Sequence, residues 1–303
     1  MRSSRAFGTA LCLLAACSGE QRSAQPPAQQ TIRVQGAGLQ TPESVLYDAV
    51  ADVYLVSNIN GSAVEKDDNG FISRISPEGT VTALKWIDGA AADVTLNAPK
   101  GLGLKGDTLF VADIDAVRLF NRTTGAPLGS RPVPGATFLN DVAVGPDGTV
   151  YVTDSGLKAG AQGFAPTGTD AVYRFDGSGR AVAVAKDTSL GRPNGVLADS
   201  TGLVVVTFGS GAVYSLDASG KRSDLPKPPA GSLDGVVRLA DGSLLVSSWD
   251  GKAVYRLAAT AGAAWTTVAD SVESPADIGY DAKRQRLLIP LFTPSEVRIL
   301  PLR

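Results

Sequence analysis

The 303-residue sequence contains no histidine. A Ser-His-Asp or Cys-His nucleophilic site, a histidine-rich zinc site and a histidine general base are therefore all excluded. Acid-base or metal chemistry in this protein has to use carboxylates, amides, lysine or tyrosine.

The sequence also has few cysteines and a net charge close to zero. The two cysteines, Cys12 and Cys17, lie near the N-terminus, and the formal net charge is −2. This charge gives no electrostatic support for a nucleic acid as a partner, and we expect none. If Cys12 is removed with a signal sequence, no pair is left for a disulfide. The sequence gives no indication of oligomeric state.

Residues 1–17 have the pattern of an export signal. Two arginines precede an apolar run over residues 6–16, which is too short for a permanent membrane span. Its ending, Leu-Ala-Ala-Cys at residues 14–17, resembles the bacterial lipoprotein box. The resemblance implies that Cys17 is acylated and anchors the protein to a membrane. An ordinary signal with an incidental cysteine is the alternative.

The segment after Cys17 is polar and rich in proline, which predicts a flexible tether over residues 18–30. Ser18 implies, by the same resemblance, sorting to the outer membrane, facing the periplasm or the cell surface. We expect residues 31–303 to form a single globular domain.

That domain is predicted to contain many short strands, because most of the chain's 34 glycines and 18 prolines lie in it, between short valine-rich runs. Six short segments share one layout, and an apolar run follows each of them after a turn. The segments are Pro42-Glu43-Ser44-Val45-Leu46, Pro99-Lys100-Gly101-Leu102-Gly103, Leu139-Asn140-Asp141-Val142-Ala143, Pro193-Asn194-Gly195-Val196-Leu197, Leu233-Asp234-Gly235-Val236-Val237 and Pro275-Ala276-Asp277-Ile278-Gly279.

The second positions of these segments follow one another at intervals of 57, 40, 54, 40 and 42 residues. An interval near 40 residues with four short strands is typical of a β-propeller blade. The pattern therefore predicts an all-β, six-bladed propeller with four antiparallel strands per blade. The last blade has room for three strands, so we expect residues 31–35 to supply its fourth.

Two of the intervals are long because of insertions at residues 58–69 and 156–170. Both follow the second strand of a blade and are expected on the same face of the propeller. Loops of this length in a compact domain are usually functional or disordered, so both are candidate lids over a site.

Equivalent positions on the innermost strands of a propeller converge around the central channel. The variable second position is therefore expected to form a ring, consisting of Glu43, Lys100, Asn140, Asn194, Asp234 and Ala276. Two carboxylates and two amide oxygens make an all-oxygen set that suits calcium. The alternative is that these polar residues only satisfy backbone groups at the end of the channel.

Four of the segments resemble the metal-binding segments of the senescence-marker protein and gluconolactonase family of six-bladed propellers. They are Pro42-Glu43-Ser44-Val45, Asn140-Asp141-Val142-Ala143-Val144, Arg192-Pro193-Asn194-Gly195-Val196 and Leu233-Asp234-Gly235-Val236. The resemblance implies that Glu43, Asn194 and Asp234 bind a divalent cation, usually calcium. It makes Asn140 a ligand or a substrate contact, and Asp234 the catalytic carboxylate.

Lys100 departs from that pattern. A cation beside the metal costs electrostatic energy unless a carboxylate such as Asp141 or Asp277 offsets it. Lys100 is therefore either an anchor for a substrate carboxylate or oxyanion, or part of a structural ion pair. The lack of histidine also excludes the histidine-assisted lactone hydrolysis associated with the more distantly related paraoxonases.

The ends of the second strands are expected to return to the same channel mouth and to line a pocket. Blades 1 to 3 would supply a polar wall, and blades 4 to 6 an apolar one. The candidates for substrate contact are Asn58, Asp113, Asp154, Phe208, Trp249 and Phe292, together with Lys100.

These observations lead to the hypothesis of a calcium-dependent hydrolase that acts on a small lactone or ester. Asp234 would act as the base toward water or as a nucleophile. Two alternatives remain open at this point. One is a propeller that binds a ligand or partner without catalysis and holds a structural metal. The other is a metal-free propeller that resembles strictosidine synthase.

Overall fold

A computed structural model of the chain describes Met1, residues 30–161 and residues 163–302. Apart from Met1, the predicted signal at residues 1–17, including the acylation site Cys17, lies outside the described residues. Of the predicted tether at residues 18–30, only the last residue is described. Within the described ranges, no helix is long and apolar enough to cross a bilayer.

The described chain forms β-strands and one short 3-10 helix at Thr188–Leu190. The first strand, β1 (Ile32–Val34), belongs to the last blade and not to the first. Blade 1 contains β2 (Pro42–Asp48), β3 (Val53–Asn58), β4 (Phe71–Ile75) and β5 (Val81–Asp88). Blade 2 contains β6 (Pro99–Lys105), β7 (Thr108–Asp113), β8 (Ala116–Asn121) and β9 (Pro127–Pro132). Blade 3 contains β10 (Leu139–Val144), β11 (Val150–Asp154), β14 (Ala171–Phe175) and β15 (Ala181–Lys186), and its insertion forms the hairpin β12 (Leu157–Gly160) and β13 (Gly163–Pro166).

The other half of the ring repeats this plan. Blade 4 contains β16 (Pro193–Asp199), β17 (Gly202–Thr207), β18 (Val213–Leu216) and β19 (Arg222–Asp224). Blade 5 contains β20 (Leu233–Arg238), β21 (Leu244–Ser248), β22 (Ala253–Leu257) and β23 (Trp265–Ala269). Blade 6 contains β24 (Gly279–Asp281), β25 (Arg286–Leu291), β26 (Glu296–Pro301) and β1. The prediction of six four-stranded antiparallel blades is confirmed.

The core lies between neighbouring blades. Successive side chains of a strand point to opposite faces of the sheet, so the second strand of each blade packs against two neighbours. In blade 1, Tyr54 and Val56 pack against Leu288 of blade 6, whereas Leu55 packs against Val111 of blade 2. All five side chains are fully buried. Each blade is thus held by apolar contact on both faces, and the ring has to close before the core is complete.

Closure uses the N-terminal strand, as predicted. Strand β1 pairs antiparallel with β26, with Ile32 opposite Ile299 and Val34 opposite Val297. Arg33 on β1 donates two hydrogen bonds to the buried carboxylate of Glu296, at 2.8 and 2.7 Å. Because the first strand pairs with the last one, blade 6 has four strands, like the other blades.

The innermost strands share a β-bulge that bears directly on the site. In five blades the register shifts between the first and fourth residues of the repeated segment, as between Pro42 and Val45 or between Pro193 and Val196. A bulge twists the strand locally and re-aims a side chain. Glycine at the third position allows neighbouring strands to approach, since a Cβ on Gly195 would lie 2.3 Å from the Asp234 carbonyl oxygen.

Candidate active site in the central channel

The bulged positions of five blades line one cavity of about 310 Å³ at one end of the channel. They are Glu43, Lys100, Asn140, Asn194 and Asp234, which come from the five blades that carry the bulge. All five side chains are buried. The sixth position of the predicted ring, Ala276, is fully buried and does not line the cavity. The fold therefore gathers five of the six predicted ring positions at one place.

Four of these side chains carry a buried oxygen with no hydrogen-bond partner. The four atoms are Glu43 Oε2, Asn140 Oδ1, Asn194 Oδ1 and Asp234 Oδ1. A buried polar atom without a partner costs about 1–3 kcal/mol, so four of them in one cavity require an explanation. They belong to the four residues that the sequence nominates as metal ligands, and oxygen is the ligand atom that calcium takes.

The two amides are essential to this set. Among residues 30–161 and 163–302, no three acidic, cysteine or histidine side chains are grouped so that they could hold a metal ion by themselves. Glu43 and Asp234 supply two carboxylates, and Asn140 and Asn194 would have to supply the remaining protein oxygens. Because all four donor atoms are oxygens, the set suits a hard cation that keeps some water ligands.

Neighbouring hydrogen bonds determine how the Asn140 amide is turned. Ser155 Oγ donates to the carbonyl of Pro193 at 2.7 Å, so it can only accept from Asn140, whose Nδ2 lies 3.0 Å away. The amide nitrogen is therefore engaged and Oδ1 is left without a partner. Ser155 and Pro193 belong to different blades, so this orientation depends on the assembled ring.

Asp234 is held from the other side. The indole Nε1 of Trp249 donates to Asp234 Oδ2 at 2.8 Å, which leaves Oδ1 as the free oxygen. Burial raises the pKa of Asp234 to about 8, and the negative charge of Asp141 adds to this effect. Burial also raises the pKa of Glu43 well above its usual range, with a further contribution from Asp234. A bound cation would lower both pKa values by favouring the charged forms.

Lys100 is enclosed beside these carboxylates. Its Nζ donates to the carbonyls of Ala63, at 3.1 Å, and Ala98, at 3.0 Å, and lies 4.4 Å from the ring centroid of Phe138. Burial lowers its pKa to about 8, against the opposing effect of Glu43 and Asp113. The carboxylates that act on Lys100 are thus different from Asp141 and Asp277. Through Ala63, Lys100 also holds the first insertion against the cavity.

Eight apolar side chains form the wall of the cavity. Phe208, Trp249 and Phe292, all proposed from the sequence as pocket residues, form one contiguous group, in which Trp249 lies 5.5 Å from Phe208 and 5.4 Å from Phe292 between ring centroids. The two insertions supply four more residues: Ile59, Ala63, Leu157 and Phe164. The insertions therefore cover the site, as their position in the repeat predicted.

The polar wall expected from Asn58, Asp113 and Asp154 is not formed. These side chains are fully buried outside the cavity lining, and each accepts hydrogen bonds from the backbone ahead of an inner strand. The donors are Gln40 N for Asn58, Asn97 N and Ala98 N for Asp113, and Phe138 N for Asp154. All three brace the scaffold of the site.

These three side chains miss the cavity because they lie one residue before the strand-end position that faces it. Asn58 pairs with the first residue of its repeated segment, and the equivalent partners in blades 4 and 5 are Thr207 and Ser248. Phe208 and Trp249 come one position later. The residues equivalent to them in blades 1 and 3 are Ile59 and Ser155, and both line the cavity. A shift of one residue moves a strand side chain to the opposite face.

Sequence reasoning also missed Phe138, which precedes an inner strand, and Phe164, which lies on the inserted hairpin. Their rings are 5.5 Å apart in an edge-to-face arrangement, and both line the cavity. A signal was present, because Phe164 is the single aromatic residue of the glycine-rich and alanine-rich insertion. An isolated aromatic in such a loop needs an apolar partner.

Two other cavities lack comparable chemistry. The channel continues past the ring into a space of about 390 Å³ that contains Asp141 and Asp277. Asp141 accepts from the backbone of Val142 and Val196, and Asp277 accepts from Ser44 Oγ, so both carboxylates already have partners. A groove of about 540 Å³ between blades 3 and 4 is lined by strand residues and by the turns that join them, and contains no ring residue.

The fold and site together define a six-bladed β-propeller with a polar, oxygen-rich ring at one channel mouth. No protein-family profile matches the sequence. No curated protein matches it either.

Solved structures share the fold at low sequence identity. A gluconolactonase from Xanthomonas campestris has a TM-score of 0.66 at 18% identity, over 90% of this chain and 89% of the other. A catalytically inactive variant of virginiamycin B lyase from Staphylococcus aureus, crystallised with quinupristin, has a TM-score of 0.63 at 14% identity, over 90% and 99%. A nidogen/laminin complex matches with a TM-score of 0.55 at 20% identity, over 72% and 76%. These similarities establish the propeller fold, which serves enzymes and interaction proteins alike.

Proposed function

We propose that this protein is a metal-dependent hydrolase that opens a small lactone or ester at the ring of the central channel. Glu43, Asn140, Asn194 and Asp234 would hold one divalent cation, with calcium the best match to their oxygen donors. The observation that carries the proposal is the set of four unpartnered buried oxygens in one cavity. The fold shared with a gluconolactonase is consistent with it.

When bound, the cation would polarise the ester carbonyl and stabilise the charge that develops on its oxygen. Asp234 takes a proton from a water molecule, and the water oxygen attacks the carbonyl carbon. The bond between the carbonyl carbon and the leaving oxygen then breaks, and Asp234 passes the proton it took from water to that oxygen, which completes hydrolysis to an acid and an alcohol and restores the carboxylate. Trp249 fixes the Asp234 carboxylate during these steps through its 2.8 Å hydrogen bond.

Lys100 has a structural role in this proposal. Two of its three N–H groups are used by the carbonyls of Ala63 and Ala98. It holds the first insertion over the cavity and keeps a positive charge near Glu43. The third N–H could reach a substrate oxygen.

A histidine-dependent reaction is not proposed. The structurally similar lyase is described in an inactive form in which a histidine is replaced by alanine. This chain contains no histidine, so it has no counterpart to that residue. Carboxylate chemistry at Asp234 needs none.

The test is hydrolysis of a lactone and ester panel with chelator-treated and calcium-reloaded protein. Turnover should require the cation, and Asp234→Asn should lower kcat/KM roughly 10²–10⁴-fold without unfolding the protein. Asp270→Asn, at an exposed position away from the channel, is the matched control. Turnover that survives both chelation and Asp234→Asn contradicts the proposal. Cation binding with no turnover on any substrate would instead indicate a binding propeller.

Export and acylation at Cys17 remain a prediction from the sequence. A mass spectrum of the membrane-extracted protein checks it, because acylated Cys17 would be the N-terminal residue. A mature chain that still contains the first 17 residues would contradict it.

A further inference from the structure

The side chains that line the active-site cavity divide into a polar floor and an apolar wall. Five of the six polar ones are the bulged residues of the inner strands, and the sixth is Ser155. The other eight residues are aliphatic or aromatic and come from loops, strand ends and the inserted hairpin. A substrate whose ester group reaches the floor therefore has its remaining atoms against the wall.

The wall is rich in aromatic rings on two sides. Phe208, Trp249 and Phe292 form one group, and Phe138 with Phe164 forms the other. Aromatic side chains present large apolar surfaces to a ligand, and burying apolar ligand area against them favours binding.

The polar atoms near the wall are already in use. Trp249 Nε1 donates to Asp234, and Ser155 Oγ donates to Pro193 while it accepts from Asn140. Lys100 has one N–H left after its bonds to Ala63 and Ala98. With the four free oxygens of the floor taken up by the proposed cation, a ligand with several hydroxyl groups would lose its hydrogen bonds to water and find few side-chain partners here. Each hydroxyl buried without a partner weakens binding roughly tenfold or more.

We infer that the substrate is an apolar lactone or ester, with an alkyl or aryl group beside the reacting bond, and not a polyhydroxylated sugar lactone. The inference rests on the proposed hydrolysis for the reacting group and on the cavity wall for everything else. The cavity of about 310 Å³ has room for about one ring and a short chain.

A matched pair of substrates tests this assignment. δ-Decalactone and glucono-δ-lactone have the same six-membered lactone ring and differ in carrying an alkyl chain or hydroxyl groups. After correction for spontaneous hydrolysis, kcat/KM should be at least roughly tenfold higher for δ-decalactone. An equal or higher value for glucono-δ-lactone overturns the inference and leaves the hydrolase proposal standing.

Substitution of the wall locates the preference. Phe292→Ala should lower kcat/KM for δ-decalactone roughly tenfold, whereas Phe292→Leu, which keeps an apolar side chain, should retain most of it. Leu128→Ala is the control, because Leu128 is an exposed leucine on the outer strand β9. Thermal melting establishes that each variant is folded. Loss of activity that is equal for Phe292→Ala and Phe292→Leu overturns the assignment of the wall.

Binding without turnover separates this inference from the proposed function. The lactam 6-pentylpiperidin-2-one has the skeleton of δ-decalactone but resists hydrolysis, and gluconolactam is its hydroxylated counterpart. Calorimetry on calcium-loaded protein should detect the apolar lactam and show at least roughly tenfold weaker binding of gluconolactam. If no lactone or ester of the panel is hydrolysed and this difference is found, the hydrolase proposal fails and the apolar site stands. If gluconolactam binds as well or better, the apolar site is refuted.

Discussion

The indole nitrogen of Trp249 donates a hydrogen bond to Asp234 Oδ2 at 2.8 Å, while the same ring packs between Phe208 and Phe292. One side chain thus positions a candidate ligand and forms part of the apolar wall. Asp234 is left with a single oxygen, Oδ1, that has no partner. The orientation of the carboxylate therefore depends on a residue from the end of the next strand.

Trp249→Phe tests this dependence, because it keeps the aromatic wall and removes the hydrogen bond. Groups that orient a metal ligand typically contribute 10–100-fold to metal affinity, so we expect calcium binding to weaken by roughly that factor. Trp265→Phe is the control, since Trp265 Nε1 donates to the carbonyl of Pro226 away from the channel. Unchanged calcium affinity in Trp249→Phe, measured by calorimetry, would show that the indole does not position Asp234.

Two buried asparagines should differ in how substitution by alanine affects the cation-free and the calcium-bound protein. Asn194 has an unpartnered Oδ1, whereas Asn97 accepts from Asp68 N and donates to Asp113. Asn97→Ala should lower the free energy of unfolding of cation-free protein by about 1–3 kcal/mol, because it breaks made hydrogen bonds. Asn194→Ala should cost clearly less in cation-free protein but should abolish stabilisation by calcium. Equal destabilisation by both variants, with calcium stabilisation intact, would argue against a ligand role for Asn194.

Ring closure predicts a sharp dependence of stability on residues 31–36. Chains that begin at Thr31 and at Ala37 differ only in the presence of β1, with its pairing to β26 and its ion pair between Arg33 and Glu296. The shorter chain also loses Val34 from the core shared by blades 1 and 6. Its Tm should be clearly lower. Equal melting temperatures for the two chains would mean that β1 does not close the ring.

An ion pair between blades 1 and 2 predicts acid sensitivity. Burial acts to raise the pKa of Asp48, but hydrogen bonds from Arg122 and the backbone outweigh it and hold the pKa below its usual value. Because the unfolded pKa is about 3.9, the stabilisation is present above that value and is lost as the pH falls through the folded pKa.

Asp48→Asn should therefore reduce the free energy of unfolding at pH 7 by about 1–3 kcal/mol, and by progressively less as the pH falls below about 3.9. Urea unfolding at several pH values measures this, with exposed Asp270→Asn as the control. A cost of Asp48→Asn that is independent of pH would contradict the assignment.

Repetition made the fold and the ring predictable from the sequence. Five of the six repeated segments form an innermost strand, so residues as distant as Glu43 and Asp234 were expected at one channel end, and both line the cavity there. The side chains converge because the same bulge recurs in five blades. One short pattern thus encodes both the scaffold and the position of its variable residue.

The cavity wall was less predictable, because it depends on register and on contacts between blades. Aligning the ends of the second strands one position out of register made Asp113 and Asp154 look like pocket residues. In the structure, both accept hydrogen bonds from the backbone. The orientation of the Asn140 amide is set by Ser155 and by a carbonyl of the next blade. Phe164 reaches the site because its insertion folds into a hairpin. The register and the contacts of Asn140 have no local sequence pattern, and the only signal for Phe164 is that it is the single aromatic residue of its insertion.

The central claim is that the four free oxygens of Glu43, Asn140, Asn194 and Asp234 bind one cation. Calorimetric titration of calcium into chelator-treated wild-type protein and Asp234→Ala tests it most directly, with melting curves to establish that both are folded. The account predicts one calcium per wild-type chain and affinity at least roughly 100-fold weaker in the variant, because a charged ligand is lost. No calcium binding by the wild-type protein, or equal binding by the two proteins, would contradict it.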